Sequence, residues 1–569
     1  MSSIPRPEHP NPQFERENWR NLNGTWEFEI DKSNWGEERG FVEKAHFSQE
    51  ITVPFCPESR LSGLGITDFM DAVWYRRSFA ISEQELEGDV LLHFGAVDYE
   101  CTVYVNGKRA GSHTGGYSSF AFDITPYLNA GENTLTVRAV DITRSPLQPT
   151  GKQSDRANSY ACCYTRTTGI WQTVWLEFVP KARLAEIRII PNEKAASVLI
   201  EAYPNATGTL LAECYYQGRP MGSRTIELGC GGGSFELPLA EKHLWEVGCG
   251  RLYDLKLTFG EDRVSTYFGL RSIGFDGLKF QLNGRTVFQR LVLDQGFYPD
   301  GIYTAPDEET LRKDIKLSQA MGFNGARLHE KVFEPRFLYH CDREGYLVWG
   351  EYPNWGLDIS RPEVLHAVTQ EWLEALARDR NHPSIVGWCP FNETWDFDGR
   401  KQYDLTLSSI YYITKAADPT RPCIDTSGNY HVATDIFCVH DYEQDVAIFK
   451  ANYDKIMTEG VLYDRFPNRQ TYRGEPTFVS EYGGIAWMKG ENGWGYGNAP
   501  QSEEEFLSRF EGLTSALLQN NKMFGLCYTQ LYDVEQEKNG LYTYEREPKF
   551  PPEVISAILS APAAIESEE

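Results

Sequence analysis

The chain has 569 residues, more than one hydrophobic core ordinarily holds, so about two to four domains are expected. Its net charge of −26 opposes binding to nucleic acid and to anionic membranes, and no run of about 18 apolar residues suggests a membrane span. The N-terminus, "MSSIPRPEHPNPQ", lacks a charged-then-apolar leader, and the 12 cysteines include no C-x-x-C pair, so the expectation is a cytoplasmic protein with free thiols.

Residues 1–180 alternate apolar and polar positions at period two. "DVLLHFGAVDYECTVYVNGKRAG" is two strands joined through "NGK", a hairpin signature, and "NTLTVRAV" and "QTVWLEFV" continue the pattern. Many short strands with Gly and Asn turns predict a jelly-roll β-sandwich. A second all-β stretch, 181–273, carries "RLAEIRIIPN", "ASVLIEAYPN", "GTLLAECYYQG", "GSFELPL" and "YDLKLTFG", and its length suits an immunoglobulin-like sandwich. "GCGGGS", Gly229 to Ser234, lacks the helix and Lys of a phosphate loop and reads as a plain turn.

From 274 to 569 the pattern changes. Eight apolar strand candidates alternate with amphipathic helices: "VFQRLVLDQG", "GFNGARLH", "GYLVWGEYPN", "SIVGWCPFNE", "RPCIDTSG", "DIFCVHDY", "TFVSEYGG" and "MFGLCYTQL". Asp307 and Ser502 stand at helix N-cap positions, each followed by acidic residues. This predicts a (β/α)8 barrel, giving a multidomain β plus α/β protein. A doubly wound sheet fits less well, because no Gly-rich turn follows the first strand.

Polar residues at the C-terminal ends of barrel strands form the active site in this fold. The fourth strand candidate ends in Asn392-Glu393 and the seventh in Ser480-Glu481-Tyr482. A carboxylate at the end of an apolar strand is costly to bury unless it is paired or used. Two carboxylates facing each other are the equipment of glycoside hydrolysis: one protonates the leaving oxygen and the other attacks the anomeric carbon. The aromatic residues, 13% of the chain, supply core and also flat surfaces for sugar rings; Trp355, Trp395, Trp487 and Tyr528 lie near strand ends. His440 and Asp294, also at strand ends, are candidate partners of sugar hydroxyls, as is His329.

"FNE" on strand four and "SEYGG" on strand seven resemble the acid/base and nucleophile signatures of glycoside hydrolase family 2, which includes β-galactosidases, β-glucuronidases and β-mannosidases. The resemblance extends over nearly the whole chain. "NLNGTWEF", "VWYRRSF", "VYVNGKRAGSHTGGYSSFAFDITPYL" and "TTGIWQTVWLE" resemble its N-terminal domain, and "GFNGARLH" and "CDREGYLVWGE" its barrel strands two and three. It implies Glu393 as general acid/base and Glu481 as nucleophile, about 5–5.5 Å apart, with retention of configuration. It also implies Asn392 on the sugar 2-hydroxyl, Tyr442 supporting the nucleophile and Arg327 keeping it ionised. No metal site and no cofactor are expected. Homo-oligomers are common among such relatives, but the sequence fixes no subunit number.

The sequence departs from the family at places that bear on the sugar. The β-glucuronidases carry an Asn-x-Lys motif that grips the substrate carboxylate; the matching stretch here is Glu537-Lys538-Asn539-Gly540, with neither residue in register. Tyr528 stands where many members have Trp. A terminal β-galactoside, as small glycoside or oligosaccharide, is therefore the expected substrate. The alternative is a β-hexuronide (galacturonide or glucuronide) held by Lys331 and Arg336. A non-catalytic carbohydrate-binding protein is the reading from a different class, and the presence of both carboxylates argues against it. The loop Asp155 to Gly169 is a candidate wall of the barrel mouth.

Overall fold

The computed structural model describes residues 4–488, 490 and 492–567. Near the N-terminus, a four-stranded sheet (Trp19–Asn21, Val174–Val179, Asp89–Phe94, Phe120–Asp123) shares one core with a six-stranded sheet. That second sheet runs Gln49–Val53, Gly24–Ile30, Ala72–Ile81, Gly131–Val140, Glu100–Val105, Lys108–Thr114. The "NGK" hairpin forms as expected: Asn106 and Gly107 both take positive φ, 51° and 78°, which a tight two-residue turn requires.

A three-stranded sheet (Leu184–Asn192, Ser197–Pro204, Gly233–Pro238) and a four-stranded one (Arg219–Leu228, Gly208–Tyr216, Tyr253–Phe259, Asp262–Phe268) enclose a separate core. "GCGGGS" turns the chain from one sheet to the other, with Gly232 N–H donating to Gly229 O at 2.9 Å. A small sheet, Ile273–Asp276, Lys279–Leu282 and Arg285–Thr286, was not anticipated. Its Phe275 and Phe280 pack on Phe524 and so cover the N-terminal end of the barrel.

The barrel strands are β1 (Gln289–Asp294), β2 (Gly325–Leu328), β3 (Leu347–Glu351), β4 (Ile385–Cys389), β5 (Phe437–Asp441), β6 (Thr477–Gly483) and β7 (Met523–Thr529). They form one parallel sheet in the order β4-β3-β2-β1-β7-β6-β5. Of the eight predicted strands, "RPCIDTSG" is not a regular strand. It lies beside β4 through isolated parallel bridges, Trp388 to Cys423 and Asn392 to Ser427. Its polar residues are spent locally: the Asp425 carboxylate accepts from the N–H groups of Val432 and Ala433, which bends the segment away from extended pairing.

Helices α1 (Glu308–Ala320), α2 (Pro335–Glu344), α3 (Val364–Asp379), α4 (Asp404–Ala417), α5 (Val446–Thr458), α6 (Glu503–Leu518) and α7 (Pro552–Leu559) alternate with the strands. Asp307 and Ser502 cap α1 and α6 as predicted, their side chains accepting from Thr310 and Glu505 N–H. No described helix is long and apolar enough to cross a membrane.

The N-terminal sandwich is docked on the barrel beside the strand tips. Thr150 and Gly151 donate backbone N–H bonds to Trp355 O and Pro353 O at 2.7 and 3.2 Å. Gly151 takes φ +56°, and a Cβ there would meet Glu330 O at 2.3 Å. Only glycine lets this loop lie so close.

Candidate active site

Glu481 is set by a defect in β6. Strands β5 and β6 pair Val439 with Val479 but His440 with Glu481, so Ser480 is an extra residue. This bulge turns Glu481 into the barrel mouth, beside His440. The Glu481 carboxylate accepts from Arg327 Nη1 at 3.0 Å and from Tyr442 OH at 2.5 Å. His440 Nε2 lies 3.4 Å from it and His329 Nε2 3.9 Å. Burial pushes its pKa up, but the charges of His440 and Arg327 outweigh that and hold it below the usual range.

Glu393 follows β4 with φ +47°, a left-handed conformation unfavourable for a residue with a side chain. Its N–H is anchored on Ser427 O at 2.9 Å, and its carboxylate accepts from His440 Nδ1 at 2.8 Å. Burial raises its pKa, yet the hydrogen bond and charge of His440 bring it below the ordinary value. His440 is itself raised, because Glu481 and Glu393 outweigh its burial. Ser427 Oγ completes its shell at 2.9 Å from Nε2.

Arg327 is fully buried and makes four hydrogen bonds. Nε binds Glu351 at 2.6 Å, Nη1 binds Ser480 O and Glu481, and Nη2 binds Asn392 Oδ1 at 2.9 Å. This fixes the Asn392 amide so that Nδ2, buried and without a partner, is free to donate. Asn354 grips the Asn392 backbone from both sides, at 2.6 and 3.0 Å. Trp355 donates Nε1–H to Asn392 O at 3.1 Å, and its own N–H goes to Glu330. His329 bonds Glu351 through Nδ1 at 3.1 Å, and burial keeps its pKa well below 6.5. Tyr442 stacks on Tyr496 with ring centroids 3.5 Å apart.

Glu393, Glu481, Asn392, Tyr442, Arg327, His440, His329 and Trp355 therefore come together. Other candidates lie elsewhere. Asp294 accepts from Tyr532 OH at 2.6 Å and Gly296 N–H at 3.0 Å and serves as a buried brace. Tyr528 faces the helices, packed on Tyr482 and Phe510, because alternation along β7 gives the inward place to Thr529, whose hydroxyl reaches Tyr442. Trp487 packs on Phe506 and Phe550, and Trp395 sits at the rim against Tyr430 and Phe466.

Lys331 donates to Gly296 O at 2.5 Å and Tyr303 O at 2.9 Å among aromatic rings, where burial lowers its pKa to about 7. Arg336 is on α2, paired with Glu308. Neither cation faces the paired carboxylates, so the route expected for a uronide through them is ruled out by position.

Glu393, His440 and Glu481 bring one ligand atom each within 4.8 Å of one another, a spacing that suits a metal ion. The charge does not suit one: Arg327 already neutralises Glu481, and Lys152 adds a second positive field.

The predicted wall forms beside the site. Trp494 Nε1 and Gln536 Nε2 hold Ala161 O at 2.6 and 2.7 Å, and Tyr164 OH donates to Glu537 at 2.5 Å. Just upstream, Lys152 is buried, with Nζ 3.7 Å from the Trp355 ring centroid. Sequence reading overlooked Lys152, Asn354 and Tyr496; no periodicity or motif marks them, since each acts across a long sequence separation.

The family models described as "Glycosyl hydrolases family 2, sugar binding domain" and "Glycosyl hydrolases family 2, TIM barrel domain" match residues 19–177 and 304–502, together more than half the chain. A putative β-glucuronidase of Formosa agariphila is 30% identical over 61% of this chain and 44% of its own length. A β-galactosidase of Thermoanaerobacter pseudethanolicus is 25% identical over 83% and 64%, and the mouse β-glucuronidase 25% over 93% and 88%. The chain thus spans less than two thirds of the first two. The solved fold of a β-glucuronidase from an uncultured Clostridium sp. is similar, with TM-score 0.80, 21% identity and coverage of 96% and 98%. With two domain models matched in order and the paired carboxylates at the barrel mouth, the chain belongs to glycoside hydrolase family 2.

Proposed function

We propose that this glycoside hydrolase is a retaining exo-β-glycosidase acting on β-hexuronides, β-glucuronides first. The observation that carries the mechanism is the approach of Glu393 and Glu481, which bring carboxylate oxygens within 4.8 Å. Oxygens that close fit a retaining pair, whose carboxyl groups stand about 5–5.5 Å apart, better than an inverting pair at about 6.5–9.5 Å.

Glu481, kept ionised by Arg327 and oriented by Tyr442, attacks the anomeric carbon. Glu393 donates its proton to the leaving oxygen, then takes one from the water that hydrolyses the glycosyl-enzyme. Asn392 Nδ2 donates to the sugar 2-hydroxyl, a bond that strengthens as charge develops at the anomeric carbon.

The relatives support the uronide. Of the three sequence relatives named above, the mouse protein, matched along 88% of its length, is described as a β-glucuronidase and the Formosa protein, at 30% identity, as a putative one. The neutral-sugar expectation, a β-galactoside, takes second place and rests on a 25% identical β-galactosidase. The test is kcat/KM on 4-nitrophenyl β-glucuronide, β-galacturonide, β-galactoside and β-glucoside, with E481Q as control. A lead for glucuronide is expected. A lead for galactoside overturns the substrate assignment, and product NMR with the inverted anomer first would overturn the mechanism.

A further inference from the structure

We infer that Lys152, delivered by the N-terminal sandwich, is the cation that holds the carboxylate of the substrate, an inference that rests on the hexuronidase reading. Its place is the first argument. The ammonium lies on the face of Trp355, whose indole N–H is bonded to Asn392 O, the carbonyl immediately before Glu393. One aromatic ring therefore separates Lys152 from the segment that carries the acid.

Its unmet bonding is the second argument. Lys152 is 6% exposed, yet among the described residues no carboxylate lies within 4.0 Å of Nζ and no acceptor takes any of its three N–H donors. The stem is enclosed while Nζ stays open to solvent, so its donors can be offered to an arriving anion. The neighbouring carboxyls are not that partner. Glu537 has both oxygens engaged, by Tyr164 OH and Asn539 Nδ2. Glu330 accepts from Trp355 N–H, and burial raises its pKa well above the usual range and so disfavours its charge. Burial also disfavours the Lys152 charge, but the nearby carboxyl groups of Glu537, Glu393 and Glu481 outweigh it.

The remaining argument is by assignment of the other cations. Arg327 is held by four protein acceptors, Lys331 is bonded to two carbonyls, and Arg336 is on the outer helix layer. The stretch standing where Asn-x-Lys would be places Glu537 and Asn539 against each other. Gly151 holds the backbone before Lys152 against Glu330, so the ammonium is preorganised rather than flexible. A hexuronide carboxylate supplies the missing acceptor by a charge-assisted hydrogen bond.

The test uses the full-length enzyme, 4-nitrophenyl β-glucuronide and 4-nitrophenyl β-glucoside, which differ only at C6, and the variants K152M and K152R. The uronide-to-glucoside ratio of kcat/KM is expected to fall about 100-fold in K152M and about tenfold in K152R. D-glucuronate binding, by calorimetry, is expected to weaken in parallel while D-glucose binding does not. If K152M fails to fold, K152R carries the test. An unchanged ratio, with both substrates slowed alike, overturns the inference and makes Lys152 a support of the paired carboxylates. A wild-type enzyme that cleaves no uronide overturns the hexuronidase reading and this inference with it, whereas uronide cleavage with an unchanged ratio removes the inference alone.

Discussion

Nδ1 of His440 lies 2.8 Å from Oε1 of Glu393, so the proposed acid rests on an imidazole rather than in an apolar pocket. This works against a general acid, whose pKa should lie near the working pH. The same ring lowers the pKa of Glu481. Replacing it, as in H440N, releases both carboxylates upward. The acid limb of the kcat/KM profile reports Glu481 losing its proton, and the basic limb reports Glu393 losing its own. Both limbs are expected to move to higher pH. The profile of the variant measures this; limbs that stay in place would show that His440 does not set these titrations.

Tyr442 donates to Glu481 Oε2 at 2.5 Å and stacks on Tyr496. Y442F keeps the stack and loses the donor. If the hydroxyl orients the nucleophile, kcat falls about 100-fold with little change in melting temperature. Loss of less than about threefold would leave Tyr442 as a spacer only.

Gly151 to Ala adds a Cβ that would meet Glu330 O at 2.3 Å at a positive φ. The loop has to lift, carrying Lys152 with it. The expected cost is about 1–3 kcal/mol of stability together with a rise in KM, checked by thermal melts and steady-state kinetics. A variant with wild-type KM would show that the loop need not be held so close.

Glu58 provides a pH test of stability that does not involve the active site. Burial pushes its carboxyl up to about 8, and Oε1 has no partner. Its folded pKa exceeds the unfolded value of 4.5, so the folded state holds the proton longer. Its contribution is greatest below pH 4.5 and is lost as pH rises towards about 8. E58Q is expected to match the wild type near pH 4.5 and to melt a few degrees higher near pH 8. A constant difference between the two across that range would refute the assignment.

Much of this architecture was legible because it is local. Period-two runs marked both sandwiches, "NGK" marked a hairpin, and Asp307 and Ser502 marked two helix starts. Glu393 and Glu481 stood out as carboxylates closing apolar strands. Side-chain direction was less legible. Tyr528 and Thr529 are adjacent on β7 and face opposite ways, and the linear pattern of this strand, buried along its whole length, does not say which faces in. Lys331 and Arg336 sit close to β2 in sequence, but the chain turns Lys331 towards the aromatic core and Arg336 towards Glu308 of α1. Lys152 was invisible for the opposite reason: it is far from the barrel strands in sequence and meets them only through docking.

The extra residue at Ser480 gives one strand two phases. Below it, β6 alternates to suit the barrel interior, with Phe478 stacked towards Trp349. Above it, the alternation is reset and Glu481 faces the mouth. If Ser480 instead paired with His440 in unbroken register, the carboxylate of Glu481 would turn towards the helices, while the lower half of the strand kept its packing. Reading frame along this strand, rather than residue identity alone, separates a working copy of the chain from a well-folded but inert one.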